Sequence, residues 1–124
     1  MEEIKTIEMS ELDYRLILHI KGLRESRGLS QIELSHRMGL SSGFIGKVEL
    51  LTVPDKYSIR HLKLLADIFK VKSFTDLLPS KIPAHDMIRL TLKISNDLKK
   101  DGTPSKKKIT EVIKIEPIAK NAVK

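Results

Sequence analysis

The segment from Ser30 to Glu49 contains the residue types and spacing that most directly indicate a chemical function. Ser30 is followed three residues later by Glu33, the pattern of a capping box at the start of a helix. Two short helices that cross around a tight turn need a small residue where they approach and a residue that tolerates positive φ in the turn. Ser35 and Gly39 supply these two residues. The segment therefore predicts a helix-turn-helix.

The second helix of this motif, predicted over roughly residues 41–50, has a slim outer face. Its inward side is predicted to consist of Phe44, Ile45 and Val48, which pack it onto the first helix. The outward residues, left for contact with a partner, are Ser41, Ser42, Gly43, Gly46 and Lys47. Short side chains of this kind allow a helix to sit deep in the major groove of duplex DNA.

The charge of the chain favours a polyanionic partner. The formal net charge is +7 over 124 residues. Residues 1–13 are acidic, whereas residues 14–79 hold eleven basic and six acidic residues and residues 80–124 hold eleven and five. Nucleic acid is the commonest partner of a basic body with a basic extension.

Other function classes find little support in the sequence. Cysteine is absent, which excludes disulfides, cysteine-based zinc sites and thiol catalysis and fits a reducing cytoplasm. The four histidines lack metal-ligand spacing, and no carboxylate pair, nucleophile–histidine set or glycine-rich phosphate loop occurs. No signal peptide or membrane span is recognisable. We expect a cytoplasmic protein without enzymatic activity, cofactor, metal or membrane partner.

Helical periodicity on both sides of the motif predicts a mainly α fold. An amphipathic helix is expected from Ser10 to Arg27, and Gly28 would end it. A further helix begins near Ser58, and a last helical turn surrounds Phe74. Together these elements predict a five-helix bundle over residues 14–79, preceded by an acidic N-terminal segment, residues 1–13. The apolar stripe of the first helix is predicted to comprise Leu12, Leu16, Ile20 and Leu23.

The chain changes character in the basic C-terminal extension, residues 80–124. Apolar and polar residues alternate over residues 87–95 and again over 108–116, which predicts two strands of a β-hairpin-like extension. An isolated hairpin is marginally stable in water, so its apolar face needs a helix layer, a second chain or both. The extension is therefore a candidate dimerisation element. The lysines at 99–100 and 106–108 are interpreted either as an arm for the DNA backbone or as a solvated loop tip.

Residues 14–79 resemble the helix-turn-helix domain of phage repressors, Cro proteins and the bacterial Xre family. The stretch LRESRGLSQIELSHRMGLSSGFIGKVE matches the pattern of that family over most of its length. The resemblance implies a lambda-repressor-like bundle and a transcriptional regulator. Such a protein would be a repressor that binds double-stranded DNA as a homodimer, with half-sites about one helical turn apart.

The resemblance also implies roles for individual residues of the recognition surface. Gln31 lies where members of the family contact a phosphate, and Ser41, Ser42 and Gly43 begin the recognition helix. Lys47, one turn later, is expected to reach a guanine edge or a phosphate.

Two further positions carry a structural implication and a departure from the family. Arg24 and Glu49 lie where phage repressors form a partly buried ion pair. Leu50-Leu51 stands where the family often has a residue followed by glycine, so the following loop is expected to differ in conformation or in contacts.

The alternative hypothesis is an interaction protein. Several antitoxins resemble the same family and hold a toxin with a further surface, for which the C-terminal extension is long enough. The two glycines of the recognition helix also allow a domain that has lost DNA binding and serves only for docking to another protein.

Overall fold

The computed structural model describes residues 2–119, which form two compact units. The sheet unit combines the N-terminal residues up to Glu11 with the residues from Ala84 onward. The helical unit is the intervening segment Leu12–Pro83. Both ends of the described chain therefore belong to the same unit.

The expectation of a mainly α five-helix bundle is wrong. The described residues form four α-helices and a three-stranded antiparallel sheet, which is an α+β fold. The predicted fifth helix is only a single 3-10 turn, Phe74–Leu77, whose start is capped by the hydroxyl of Ser73. The acidic N-terminal segment, for which no element was predicted, contributes a strand. The helices are α1 (Glu11–Ser26), α2 (Gln31–Arg37), α3 (Phe44–Leu50) and α4 (Ile59–Phe69).

The core of the helical unit follows the helical periodicity of the sequence in most positions. Leu16 and Ile20 of the predicted stripe are buried, but Leu12 is 52% exposed. In α2 the buried apolar residue is Leu34, whereas Ile32 is 57% exposed. The buried apolar residues of this unit are Tyr14, Leu16, Ile17, Ile20, Leu29, Leu34, Met38, Ile45, Val48, Leu51, Tyr57, Leu65, Phe69 and Leu77. None of the helices within residues 2–119 is long and apolar enough to cross a bilayer.

The sheet unit has the strand order β1-β2-β3, and both strand pairs are antiparallel. Its strands are β1 (Glu3–Ser10), β2 (Met87–Leu98) and β3 (Pro104–Pro117). Strands β2 and β3 occupy the two segments of alternating polarity. Because directly opposed residues share a face, Met9 lies beside Ile88 and Ile115 lies beside Leu90. The buried apolar residues of this face are Met9, Ile88, Leu90, Leu92 and Ile94.

Hydrogen bonds join the chain where it leaves β1 to the chain where it enters β2. Ser10 pairs with Met87 at the end of the β1–β2 ladder. The backbone N–H of Glu11 then donates to the carbonyl of Asp86 at 2.8 Å, and the buried carboxylate of Glu11 accepts from the backbone N–H of His85 at 2.9 Å. These bonds extend the ladder by one step beyond β1.

The β2–β3 hairpin is longer than β1. Pairing of β1 with β2 ends at Ile94, whose register partner in β1 is Glu3. Residues 95–109 therefore form a two-stranded ribbon, called the ribbon below, that ends in a turn at Gly102 with φ +88°. A register shift between Thr91 and Leu92 leaves Ile113 as an extra residue in β3. Bulges of this kind are common on edge strands, where they discourage uncontrolled pairing.

Helix α4 begins with a capping box that contains a histidine. The backbone N–H of His61 donates to the hydroxyl of Ser58 at 3.2 Å, and the backbone N–H of Ser58 donates to Nδ1 of His61 at 2.9 Å. Nδ1 must be unprotonated to accept this bond. Burial lowers the pKa of His61, and the neighbouring Arg60 lowers it further.

Acidification is expected to weaken this cap. Since the pKa of His61 is lower in the folded than in the unfolded protein, its contribution to stability is complete above about pH 6.5 and is lost as the pH falls through the folded-state pKa. Urea unfolding of the wild type and of His61→Gln, measured between about pH 7 and pH 5, checks this. Glutamine retains an acceptor for the cap but does not titrate. Over this pH range the free energy of unfolding of the wild type should fall by up to about 1 kcal/mol more than that of the variant. Parallel pH profiles would contradict the prediction.

Candidate nucleic-acid interface

The helix-turn-helix is held together by the buried hydroxyl of Ser35. This hydroxyl donates to the carbonyl of Gln31 at 2.8 Å and accepts from the backbone N–H of Ile45 at 3.0 Å, so it joins α2 to the first turn of α3. Gly39 has φ +74° in the intervening turn, which is a left-handed conformation. The small side chain and the glycine thus serve the close helix crossing for which the sequence pattern selects them.

Helix α3 begins at Phe44, three residues later than the sequence predicts. Gly43 is its N-cap and provides no side-chain cap, so the hydroxyl of Ser35 from α2 is the side-chain acceptor in the first turn. Ser41 and Ser42 do not lie in the helix but form a turn before it, in which the carbonyl of Ser41 accepts from the backbone N–H of Phe44 at 3.1 Å. Ser41, Ser42 and Gly43 are all exposed.

The outward face of α3 carries one basic side chain. Lys47 is exposed and forms no ion pair within residues 2–119. The inner face is fully buried at Ile45 and Val48. The exposed turn and Lys47 therefore form one short polar surface on a helix whose other side is fixed in the core.

Arg24 and Glu49, which the resemblance pairs, form a bidentate ion pair. The Nε of Arg24 and one terminal nitrogen each donate to a carboxylate oxygen of Glu49 at 2.9 Å, and the other terminal nitrogen donates to the carbonyl of Leu29 at 2.8 Å. The exposed fractions of the two side chains are 9% and 2%. Burial acts to lower the pKa of Arg24, but the hydrogen bond and the negative charge of Glu49 outweigh burial and raise it.

Gln31 belongs to the same group of polar contacts. Its Nε2 donates to the carboxylate of Glu49 at 2.9 Å, so its amide nitrogen is directed inward at the ion pair. Its side-chain oxygen lies 3.3 Å from the place where a Cβ on residue 46 would be, so Gly46 makes room for it. Arg24, Gln31 and Glu49, called the Glu49 network below, thus connect α1, α2 and α3. No pattern in the sequence predicts that Gln31 joins this network.

An aromatic cluster that the sequence analysis missed supports the start of α3. Phe44 lies 4.6 Å from the ring of His61 and 6.2 Å from the ring of Tyr57, measured between ring centroids. Among the described residues, the Tyr57 hydroxyl is buried without a hydrogen-bond partner. Burial raises the pKa of Tyr57, and the negative charge of Glu49 raises it further. The Ser58-x-x-His61 spacing was the available signal, since histidine at this position can complete a cap.

The end of α3 explains the unusual Leu50-Leu51 pair. Leu51 is the C-cap and has φ +72°, a left-handed conformation that glycine usually adopts at helix ends. Its side chain is only 6% exposed. Burial of a leucine side chain contributes about 1.5–3 kcal/mol, which offsets the roughly 1–2 kcal/mol cost of the backbone conformation.

Comparison of the chain with protein-family models, curated proteins and solved structures finds no significant match.

Removing the charge of Glu49 is expected to destabilise the protein strongly. Glu49→Gln leaves the buried guanidinium of Arg24 with only the exposed carboxylate of Glu25 at 3.9 Å, and loss of one partner of a buried pair costs about 3–5 kcal/mol. Asp67→Asn is the matched control, because Asp67 pairs with Lys63 on the exposed face of α4 and such pairs contribute about 0.3–0.5 kcal/mol. Urea unfolding of both variants checks this. Equal losses in the two variants would contradict a structural role for the pair.

The contact between Gln31 and Gly46 is expected to make two substitutions interdependent. Gly46→Ala should raise the free energy of unfolding by about 1 kcal/mol through helix propensity. Its new methyl group, however, pushes Gln31 away from Glu49 and lowers this gain. In the Gln31→Ala background this conflict is absent, so the full gain should appear. A double-mutant cycle by urea unfolding measures the difference. If Gly46→Ala has the same effect in both backgrounds, the two side chains are not coupled.

Proposed function

We propose that the protein is a sequence-specific transcriptional regulator that binds double-stranded DNA, a homodimeric repressor resembling the Xre and phage-repressor family. The observation that supports this most directly is the exposed polar surface of α3 and the turn before it. Ser42 and Lys47 project from this surface, while Ile45 and Val48 hold the opposite side in the core. A helix whose inner face is fixed by packing and whose outer face is exposed is suited to recognition of a groove.

The dimensions of α3 suit the major groove. Its seven residues span about 10 Å, and the groove is about 12 Å wide. The ammonium group of Lys47 would donate to a guanine edge or a phosphate, and the hydroxyl of Ser42 can donate or accept. Ser41 and Gly43 keep the approach to the backbone unobstructed. Gln31 acts here as a positioning residue, because its side chain is engaged with Glu49.

So few base-reading groups favour two copies of the domain on one operator. A dimer doubles the contacts and reads a two-fold symmetric site. The second copy is proposed to bind along residues 110–117 of β3, which within residues 2–119 have a neighbouring strand on one side only. Two isoleucines of this part of the strand, Ile113 and Ile115, are 49% and 40% exposed. As a regulator of transcription the protein would act in the cytoplasm.

Selection of bound duplexes from a random pool by the full chain tests the proposal. A palindromic motif should be enriched, with half-sites about one helical turn apart. Ser42→Ala/Lys47→Ala should abolish the enrichment, because it removes the two side chains proposed to reach bases. The matched control is Ser80→Ala/Lys81→Ala, which makes the same two changes at exposed positions outside α3 and the turn before it and should retain the motif.

Each alternative gives a different result. A motif without two-fold symmetry would contradict the homodimer and leave β3 as the surface for another protein, such as a toxin-like partner. A pool that is not enriched, together with no binding even at low salt, would contradict DNA recognition itself. That result would favour the hypothesis that the domain docks to another protein and does not bind DNA.

A further inference from the structure

The ribbon, residues 95–109, stands apart from the rest of the sheet in its pairing. Strands β1, β2 and β3 lie side by side as far as Ile94, and beyond this point β2 and β3 are paired only with each other among the described residues. The two strands of the ribbon close at a tight turn in which the N–H of Lys99 donates to the carbonyl of Thr103 at 2.8 Å. The ribbon is therefore a narrow two-stranded projection, and its strands extend over roughly 15 Å.

Positive charge is concentrated in this ribbon. In the three-stranded part, three of the four cations pair with nearby acids: Arg89 with Glu8 at 2.8 Å, Lys93 with Glu2 at 3.1 Å and Lys114 with Glu116 at 3.4 Å. The ribbon carries five lysines and two acids. Within residues 2–119, no ion pair is formed by Lys99, Lys100, Lys106, Lys107 or Lys108.

The two acids of the ribbon are occupied by local hydrogen bonds. Asp97 accepts from the N–H of Leu98 at 2.9 Å. Asp101 accepts from the hydroxyl of Thr103 at 2.6 Å and from its N–H at 3.0 Å, and these bonds lower the pKa of Asp101. Their carboxylates shape the turn and do not pair with the lysines.

The lysines are held on an ordered backbone. Asn96 donates to the carbonyl of Ser105 at 2.7 Å across the ribbon, and its side-chain oxygen accepts from Lys108 at 3.1 Å. Charges on a flexible loop tip would have no fixed positions, whereas Lys106, Lys107 and Lys108 lie consecutively on strand β3. Lysine is a compact, strongly hydrated cation that suits contact with phosphate.

We propose that the ribbon is a second DNA contact, which binds the phosphate backbone of duplex DNA through its lysines and without sequence preference. This inference rests on the proposed function, since it assigns a further contact to the same DNA. Backbone contacts of this kind add affinity and fix orientation, while base contacts supply specificity. A two-stranded ribbon is also narrow enough to lie along a groove.

The salt dependence of DNA binding tests this inference. The full chain and its variants are titrated with a duplex of random sequence, and fluorescence anisotropy is followed between about 50 and 200 mM salt. Lys106→Gln/Lys107→Gln/Lys108→Gln should reduce the slope of log K against log salt by about 0.9 for each lysine that contacts a phosphate, and by about 2.7 when all three do. Lys5→Gln/Lys72→Gln/Lys81→Gln removes the same charge from exposed positions outside the ribbon and should leave the slope nearly unchanged.

The outcomes separate this inference from the proposed function. If the wild type binds no duplex at any salt, DNA binding itself fails. If the wild type binds and the slopes of the ribbon and control variants change equally, the ribbon inference alone is overturned. Lys106→Arg/Lys107→Arg/Lys108→Arg keeps the charge and should retain the wild-type slope. A loss in this variant as well would indicate a change in structure and would also overturn the inference.

Discussion

The buried carboxylate of Glu49 is the constraint on which the recognition surface depends. An ion buried to this extent is costly unless it is paired and fully hydrogen-bonded, and Glu49 meets this requirement with groups from two other helices. Arg24 comes from the last turn of α1 and Gln31 from the first residue of α2. Because all three contacts must form together, the orientation of α3 is specified relative to both neighbours. The exposed side chain of Lys47 takes its direction from this arrangement.

The two ends of α3 are fixed by different means, and both depart from the usual solutions. Its N-cap residue, Gly43, has no capping side chain, and the first turn is instead supported by the hydroxyl of Ser35 and by ring contacts of Phe44. Its last turn ends in a strained leucine whose side chain is buried. Contacts with other parts of the helical unit therefore replace local capping at both ends. Within residues 2–119 the buried hydroxyl of Tyr57 also has no hydrogen-bond partner, at a cost of about 1–3 kcal/mol, which the apolar contacts around it must offset.

Local patterns in the sequence predicted the elements whose signal is local. Ser30 caps α2 and Gly39 forms the turn because capping and positive φ depend on a few neighbouring residues. Strand β1 was missed because its sequence is rich in charged residues and its partner is about eighty residues away, so pairing is decided by β2. The Arg24–Glu49 pair was expected from a family resemblance only. The inward turn of Gln31 depends on a carboxylate that approaches only after folding, which no spacing rule reports.

The pairing of Ser10 with Met87 makes the helical segment an insertion between two adjacent strands. Closing the sheet ties the ends of residues 11–86 together, much as a cross-link would. For a loop of this length, the length-dependent part of the closure entropy is on the order of 4 kcal/mol. While the sheet is closed, the helical segment therefore gains less conformational entropy when it unfolds than a chain with free ends would gain. Conversely, helices that have already folded bring the two strands near each other, so each unit lowers the entropic cost of forming the other.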